Sequence, residues 1–327
     1  MNIKKIGLSA LAGSLAMVSA NAVELAVSGK TEITYVSNDT KVTGNPFGMG
    51  NAISFDGSGD VNGMTASYYA NINDGGVANF QSSALTLDMG DLGKIAFDQG
   101  VAGYGVGTID DKMPYAYEEI TNNVTAGNGL RAAGGSNVIG YAVPIGGVSL
   151  SLEYDPGHGA ATTTSADAAT TGNGTTDSGY NFALTGSPSD GWNVGYGYGN
   201  ETQTTTTQDT DKAQFQTLFA TYAIGAATIG YQKSEGTGGS TGSTSENVDL
   251  YGISFSVNEN LAISYNMIDN EHGLASATHV TEETVGVGAS YTMGSAAFRF
   301  LKNETDNVSG VSNVKEETME ISLLLAF

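Results

Sequence analysis

Cysteine is absent from all 327 residues of the chain, and proline and tryptophan are scarce, with five copies and one copy. A protein without cysteine forms no disulfides, although small secreted folds usually depend on such cross-links. We therefore expect stability to come from a large hydrogen-bonded framework. The 46 glycines, 16 tyrosines and 11 phenylalanines suit a framework of many strands and turns.

Basic residues are also few. Lysine and arginine number 12 against 34 aspartates and glutamates, which gives a formal net charge of −22. A chain this acidic does not bind nucleic acid through its phosphates. Its charge suits repulsion of anions, attraction of cations, or solubility alone.

Long apolar runs are missing as well, since no segment approaches the ~18 uninterrupted apolar residues of a membrane-spanning helix. The first 22 residues are typical of a secretory signal peptide. Lys4 and Lys5 form its positive start, residues 6–18 its short apolar run, and Ala20-Asn21-Ala22 its cleavage site. We expect an exported mature chain of residues 23–327, whose net charge is −24 because both signal lysines are lost.

The last nine residues, 319–327, have an apolar side chain at every second position and stop at Phe327. A period of two indicates a β-strand with one apolar face. A strand that closes a membrane barrel can end in this way, with its aromatic residue at the lipid–water boundary. The alternative is a buried C-terminal strand of a soluble sandwich.

The same alternation recurs along the chain and predicts sixteen strands. Short turns such as Asn62-Gly63, a strong hairpin signal, alternate with longer polar segments, of which 99–135 is the longest. This pattern predicts an all-β fold, a 16-stranded antiparallel transmembrane β-barrel. A soluble β-sandwich or β-helix would explain the alternation but not the rhythm of the loops or the terminal Phe327. The predicted strands are 24–36, 51–61, 63–73, 82–90, 93–98, 136–144, 147–155, 179–187, 191–199, 211–223, 226–234, 247–257, 260–268, 282–293, 296–303 and 315–327.

Four short motifs follow one another along the chain. They are residues 23–29 at the mature start, the turn at 89–95, residues 137–141 after the longest loop, and the ending at 321–327. In their order and spacing they make the whole mature chain resemble the Gram-negative porins, specifically the alphaproteobacterial-type general diffusion porins. The resemblance implies a homotrimer of sixteen-stranded channels in the bacterial outer membrane. It also implies that the third long loop folds into the barrel and narrows it, and that the barrel-assembly machinery reads the last strand.

The polar set of each strand should face the lumen if the apolar set faces lipid. A barrel of this size leaves a water-filled channel, so charges on its inner wall need no buried partners. For each of them, the alternative is a solvated wall residue with no selective role. The charged residues assigned to the lumen are Glu24, Lys30, Glu32, Asp56, Lys94, Asp98, Glu153 and Arg299.

The segment 99–135 is the candidate constriction loop. In the porins that the chain resembles, acidic residues of this loop oppose a cluster of basic wall residues. Here the basic side is thin, which favours a cation-leaning pore, and the alternative for the segment is a disordered surface loop. The candidate constriction residues are Asp110, Asp111, Glu118 and Glu119 on the loop and Lys30, Lys94 and Arg299 on the wall.

Enzymatic and metal-dependent functions find little support. The three histidines, His158, His272 and His279, lie in predicted external loops, and no zinc-binding spacing occurs. Carboxylates such as Asp209 and Asp211 could hold Ca²⁺ weakly, but no loop follows the EF-hand pattern, and a solvated acidic rim explains them equally. We expect no catalytic activity and no cofactor.

Two functions remain open. The first is a passive diffusion channel for small hydrophilic solutes and ions. The second is a structural or surface-display barrel that acts through its extracellular loops in adhesion or as a receptor, which a plugged lumen or an external third loop would favour. The expected partners are further copies of the chain, outer-membrane lipids, the assembly machinery and the solutes themselves, with no nucleic acid.

Overall fold

The structure is a computed structural model that describes residues 22–39, 45–73, 79–101, 103–110, 112–122, 136–156, 178–204, 210–237, 246–272 and 280–327. The predicted signal peptide, apart from Ala22, lies outside these residues. Sixteen strands occur in the described ranges, with short 3₁₀ turns at Gly90–Leu92, Gly105–Ile109 and Val308–Gly310. The strands are β1 Ala22–Asn38, β2 Phe47–Val61, β3 Met64–Asn73, β4 Asn79–Asp88, β5 Lys94–Gln99, β6 Ser136–Ile145, β7 Val148–Asp155, β8 Gly179–Gly186, β9 Trp192–Thr204, β10 Thr210–Ile224, β11 Ala227–Thr237, β12 Glu246–Ser256, β13 Leu261–His272, β14 Glu282–Met293, β15 Ala296–Asp306 and β16 Lys315–Ala326.

The strands form one closed antiparallel barrel. Each strand pairs with its neighbours in sequence, and β16 pairs with β1 to close the ring, with Ile33 opposite Leu323. Closure gives every strand a hydrogen-bonding partner on both sides, which a hydrocarbon environment requires. The predicted 16-stranded barrel is therefore confirmed. Among the described residues, no helix has the length and apolar character needed to cross a bilayer.

Every predicted strand has an observed counterpart, and the main differences lie at the long-loop ends. β9 continues to Thr204 and β13 to His272, beyond the predicted ends at 199 and 268. The added residues are largely polar on both faces, such as Asp269 and Glu271, so the apolar alternation stops before the backbone pairing does.

The turn between β2 and β3 shows why the short connections were readable. Asn62 and Gly63 have φ angles of 55° and 82°, the left-handed region that asparagine and glycine tolerate best. Positive φ at both central residues matches the twist of a two-residue hairpin. The Asn62-Gly63 hairpin is confirmed.

The two faces of the barrel differ as the alternation predicts. Tyr265 and Val287 are exposed on the outer face, whereas Asn266, next to Tyr265 in sequence, and Thr284, three residues before Val287, are buried on the inner face. The outer positions carry the large apolar side chains that a lipid-facing surface needs. The inner positions carry mostly polar side chains.

Candidate functional site

Residues 103–110 and 112–122, here named the inner segment, belong to the long connection between β5 and β6. Asp98, near the end of β5, fixes where this connection starts. Its carboxylate accepts hydrogen bonds from the backbone nitrogens of Val101, at 2.7 Å, and Gly103, at 3.4 Å. Asp98 is only 1% exposed and lies on the inner face, so it draws the chain towards the inside of the barrel.

The first half of the inner segment is held by polar side chains of β7 and β8. The backbone nitrogen of Gly105 donates to Ser151 Oγ at 2.8 Å, and that of Val106 donates to Asn181 Oδ1 at 2.7 Å. Asn181 Nδ2 in turn donates to Glu153 Oε1 at 2.9 Å, which orients the amide. These contacts satisfy backbone donors of the 3₁₀ turn Gly105–Ile109 and hold the turn against the wall.

Apolar side chains hold the same turn more closely. Val106 and Ile109 are fully buried, and both lie over Gly197 of β9, where an added Cβ would stand 2.7 Å from each. Ile120 covers Gly286 of β14 in the same way. Inward-facing glycines thus provide the room that the segment needs. The buried cluster comprises Val106, Ile109, Met113 and Ile120 of the segment with Ala183, Phe215, Phe219, Val248, Leu250, Ile268 and Leu301 of the wall.

The second half of the inner segment follows β13 to β15. The backbone nitrogen of Ala116 donates to Ser264 Oγ at 2.9 Å, and Asn303 Nδ2 donates to the carbonyl of Asn122 at 2.7 Å. From β7 to β16, the described part of the loop therefore contacts the polar face of the ring. Inward folding of the whole third loop stays a prediction, because residues 123–135 lie outside the described ranges.

Tyr117 ties the inner segment to the seam between β1 and β16. Its hydroxyl lies 2.8 Å from Glu320 Oε1 and 3.3 Å from Glu32 Oε1. Arg299 Nη1 lies 3.3 Å from the same Glu32 oxygen, and the Arg299 guanidinium stands 5.2 Å from the centre of the Tyr117 ring. Ser322 Oγ also donates to Glu32 Oε1, at 2.6 Å.

Glu118 adds a third carboxylate to this group. Asn122 Nδ2 hydrogen-bonds Glu118 Oε2 and lies 3.3 Å from Glu320 Oε2. Burial, followed by the charge of Glu320, raises the pKa of Glu118, and burial also raises the pKa of Tyr117. Glu32, Glu118, Glu320 and Arg299 together with Tyr117 form what we name the Tyr117 cluster, in which three carboxylates lie close together and the guanidinium of Arg299 pairs with Glu32.

The predicted constriction residues lie at different places. Glu118 and Arg299 meet in the Tyr117 cluster, as its contacts show. Glu119 follows directly and its carboxylate accepts a hydrogen bond from Thr121 Oγ1 at 3.3 Å. Asp110 is half-buried after the 3₁₀ turn, on the β7–β9 side of the segment, and Asp111 lies outside the described residues.

The two wall lysines are held differently from Arg299. Lys30 is exposed on the inner face of β1, two residues from Glu32. Lys94 begins β5 at the short-turn end and forms an exposed ion pair with Asp88 at 3.0 Å. An exposed pair of this kind contributes little to stability, but it offsets the lysine charge locally.

Several other candidates cannot be placed. Asp209, His158 and His279 lie outside the described residues, as does the side chain of Asp211, so the expectation of weak calcium binding stays untested. His272 ends β13.

Glu320 and the inward apolar residues of the wall were missed by the sequence reasoning. Glu320 is only 4% exposed and stands between Met319 and Ile321, in the strand that was analysed only for its apolar face. Phe215, Phe219 and Leu301 point inwards, where the alternation predicts polar side chains. Apolar side chains at inward positions were the feature of the sequence that could have indicated a part of the wall covered by other residues.

The inner wall has two unlike sides. On β13 to β15, here named the covered side, the inward residues Thr284, Asn303 and Thr305 are at most 1% exposed. On β2 and β3, here named the open side, the inward residues Asp56 and Ser58 are exposed. Solvent inside the barrel therefore reaches the open side.

A family profile described as Gram-negative porin matches residues 7–321. The fold is similar to the anion-selective porin from Comamonas acidovorans, with 15% identity, a TM-score of 0.65, and coverage of 93% of this chain and 99% of that one. It is similar to OmpF of Salmonella typhi in complex with daunomycin, with 12% identity, a TM-score of 0.68, and coverage of 94% and 100%.

A third solved structure is the trimer form of OmpT, an outer membrane protein of Vibrio cholerae. It has 12% identity, a TM-score of 0.66, and coverage of 93% of this chain and 99% of that one. At these identities the likeness concerns the fold. No curated protein sequence matches the chain.

Proposed function

Because this chain belongs to the Gram-negative porin family, and is thus a passive diffusion channel of the bacterial outer membrane, we propose that its solutes pass between the inner segment and the open side and that the passage prefers cations. The observation that carries this proposal is the Tyr117 cluster, where three carboxylates meet one arginine. Diffusion down a gradient needs no catalytic group and no cofactor, and we assign neither.

The charges of the proposed constriction favour cations. We propose, as expected from the sequence, that Asp110, Asp111, Glu118 and Glu119 supply the acidic side. On the basic side, Arg299 of the wall is paired with Glu32 and Lys94 with Asp88, so that both wall charges are offset locally. Lys30 is the remaining wall candidate. A permeating ion at a narrow point lies within the ~8 Å over which charges act at physiological salt.

Replacement of the four loop carboxylates tests the constriction. We expect the variant D110N/D111N/E118Q/E119Q to move the zero-current potential in a KCl gradient towards anion preference, more at low salt than at high salt. A matched control is D91N/D190N/E259Q, which removes exposed carboxylates from short turns. The quadruple variant should shift the potential far more than the control. An unchanged potential at both salt concentrations would place the four residues away from the constriction.

We also propose a homotrimer whose subunits meet through the first strands. Small outward residues, Gly57, Gly59 and Ala66, let two surfaces approach closely, and Ala70 lies on the same outer face. Thr31 Oγ1 donates to Asn51 Oδ1 at 2.6 Å on that face, and a polar pair suits a protein interface better than lipid. The trimer form of V. cholerae OmpT supports the arrangement. Native mass measurement in mild detergent tests it: a folded monomer would contradict the trimer.

A last part of the proposal concerns assembly. Phe327 pairs with Gly29 of β1 through two backbone hydrogen bonds, of 2.7 and 2.9 Å, and its side chain is 79% exposed towards the lipid side. We propose that the assembly machinery reads this end of β16. Deletion of Phe327 should then lower the amount of barrel inserted more than it lowers the thermal stability of inserted barrels. Unchanged outer-membrane levels would reject this role.

A further inference from the structure

Asp56 occupies the middle of β2, on the open side of the channel. It is exposed, and it lies opposite Ala26 of β1 and Tyr69 of β3. Its side chain lies on the inner face, because Ile53, three residues away and therefore on the opposite face of the strand, is exposed on the lipid-facing surface. The wall of the water-filled channel therefore carries a carboxylate at this position.

Hydrogen-bonding side chains surround Asp56. Ser54 Oγ lies 3.3 Å from the hydroxyl of Tyr69, and Asn71 Nδ2 donates to Ser54 Oγ at 3.0 Å. Ser58 continues the same face of β2 beyond Asp56. This part of the wall presents hydroxyl and amide groups rather than basic side chains.

The charge of Asp56 has no ion-pair partner among the residues that the structure describes. Lys30 of β1 lies opposite Ala52, four residues from Asp56, which is roughly 13 Å along the strand. That separation exceeds the Debye length of ~8 Å, so Lys30 is largely screened from Asp56.

Asp56 lies on the short-turn side of the inner segment. It is six residues from Asn62, which opens the short turn between β2 and β3. Tyr117 of the inner segment contacts Glu32 of β1, which lies opposite Gly50 of β2, six residues from Asp56 towards the long-loop end. A solute that passes the segment on the open side therefore passes Asp56 as well.

We propose that Asp56 is a specificity-determining residue on the open side, beyond the inner segment towards the short turns, and that it selects small organic cations that carry an ammonium or guanidinium group. Such solutes meet carboxylates first at the inner segment and then at Asp56, where the nearby hydroxyl groups accept their remaining hydrogen bonds. The proposal rests on the passage past the inner segment and adds a second acidic level to it. It assigns to β2 a charge of the same sign as the loop, so that the mean potential of the passage is negative at both levels.

Liposome swelling tests this role. The readout is the uptake rate of arginine divided by that of a neutral sugar of similar size, for the wild type and for Asp56→Asn. Loss of one unit charge at several ångströms in water should lower the ratio about two- to threefold. Asp56→Glu should restore it. Asp60→Asn is the matched control, since Asp60 lies on the same face of β2 and its carboxylate binds the Gly63 backbone nitrogen at 3.4 Å.

The outcomes separate this proposal from the channel function. If wild-type protein admits neither solute, the channel itself fails. If the wild type admits both and prefers arginine while Asp56→Asn keeps the same ratio, or if Asp60→Asn lowers the ratio equally, the role of Asp56 is overturned. Asp56→Ser replaces Asp56→Asn if the latter does not insert, with the same expected ratio.

Discussion

The open side and the covered side of the inner wall share one alternation but differ in what covers them. Asn303 on β15 is 1% exposed and its side chain donates to the carbonyl of Asn122 in the inner segment, whereas Ser58 on β2 is exposed. Both are polar residues at inward positions of long strands. The period of two decides which side chains point inwards, but the inner segment decides which of them meet water. Polar alternation alone therefore does not define a channel lining.

Apolar contacts hold the inner segment more firmly than its hydrogen bonds do. Complete burial of an isoleucine or valine side chain contributes about 1.5–3 kcal/mol, and the segment buries Val106, Ile109 and Ile120 completely. A typical hydrogen bond contributes only about 0.5–1.5 kcal/mol net. The apolar residues should thus fix the segment on the covered side, while the polar contacts set its register.

Ile120→Asp should have the largest effect on this comparison. It places a carboxylate in a fully buried site over Gly286, and an unpaired buried charge costs several kcal/mol. We expect the end of the inner segment to leave β14, so that the covered side opens and single-channel conductance rises. Ile120→Val, which keeps an apolar side chain over Gly286 and adds no charge, is the control and should conduct like the wild type. Equal conductance of all three proteins would contradict apolar anchoring.

Tyr117→Phe should have an intermediate effect. The change keeps the ring near Arg299 but removes the hydroxyl that lies between Glu320 and Glu32, and hydrogen bonds to charged groups contribute about 1.5–3 kcal/mol each. We expect the part of the inner segment around Tyr117 to fluctuate, which would raise open-channel current noise while mean conductance changes little. Noise at the wild-type level would show that Tyr117 does not hold this part of the segment.

Acidification should have the smallest effect. Burial and the negative charge of Glu320 raise the pKa of Glu118, so Glu118 takes up its proton at a higher pH than an ordinary glutamate, for which the pKa is ~4.3. Proton uptake removes one negative charge as pH falls, despite the nearby Arg299, and cation preference should begin to decline above that value. In Glu118→Gln this early decline should be missing from the zero-current potential. Identical pH profiles would contradict the raised pKa.

Much of the barrel was predictable because its information is local. All sixteen strands follow from a period of two, and the hairpin at Asn62-Gly63 follows from residues that tolerate positive φ. The strand ends near the long loops were not, because at β13 the pairing continues through Asp269 and Glu271 after the apolar pattern has stopped.

The site was predictable only in part. Its acidic residues stand out in the sequence, but Tyr117 meets Glu320 over a separation of 203 residues, which no local pattern reveals. The position of the loop inside the barrel was inferred from family resemblance. Phe215 and Phe219 are apolar at inward positions, and this exception to the alternation could have indicated that the loop covers them.

Cysteine accessibility tests the central claim, that solutes pass along the open side while the inner segment seals the covered side. The chain contains no cysteine, so Ser58→Cys and Asn303→Cys each introduce a single thiol into each subunit of the channel. A charged methanethiosulfonate reagent should modify the thiol at position 58 much faster than the other thiol, and it should reduce the current only of the Ser58→Cys channel. Mass spectrometry follows the modification, and conductance follows the current. Equal modification of both thiols, or faster modification of the second, would contradict the account.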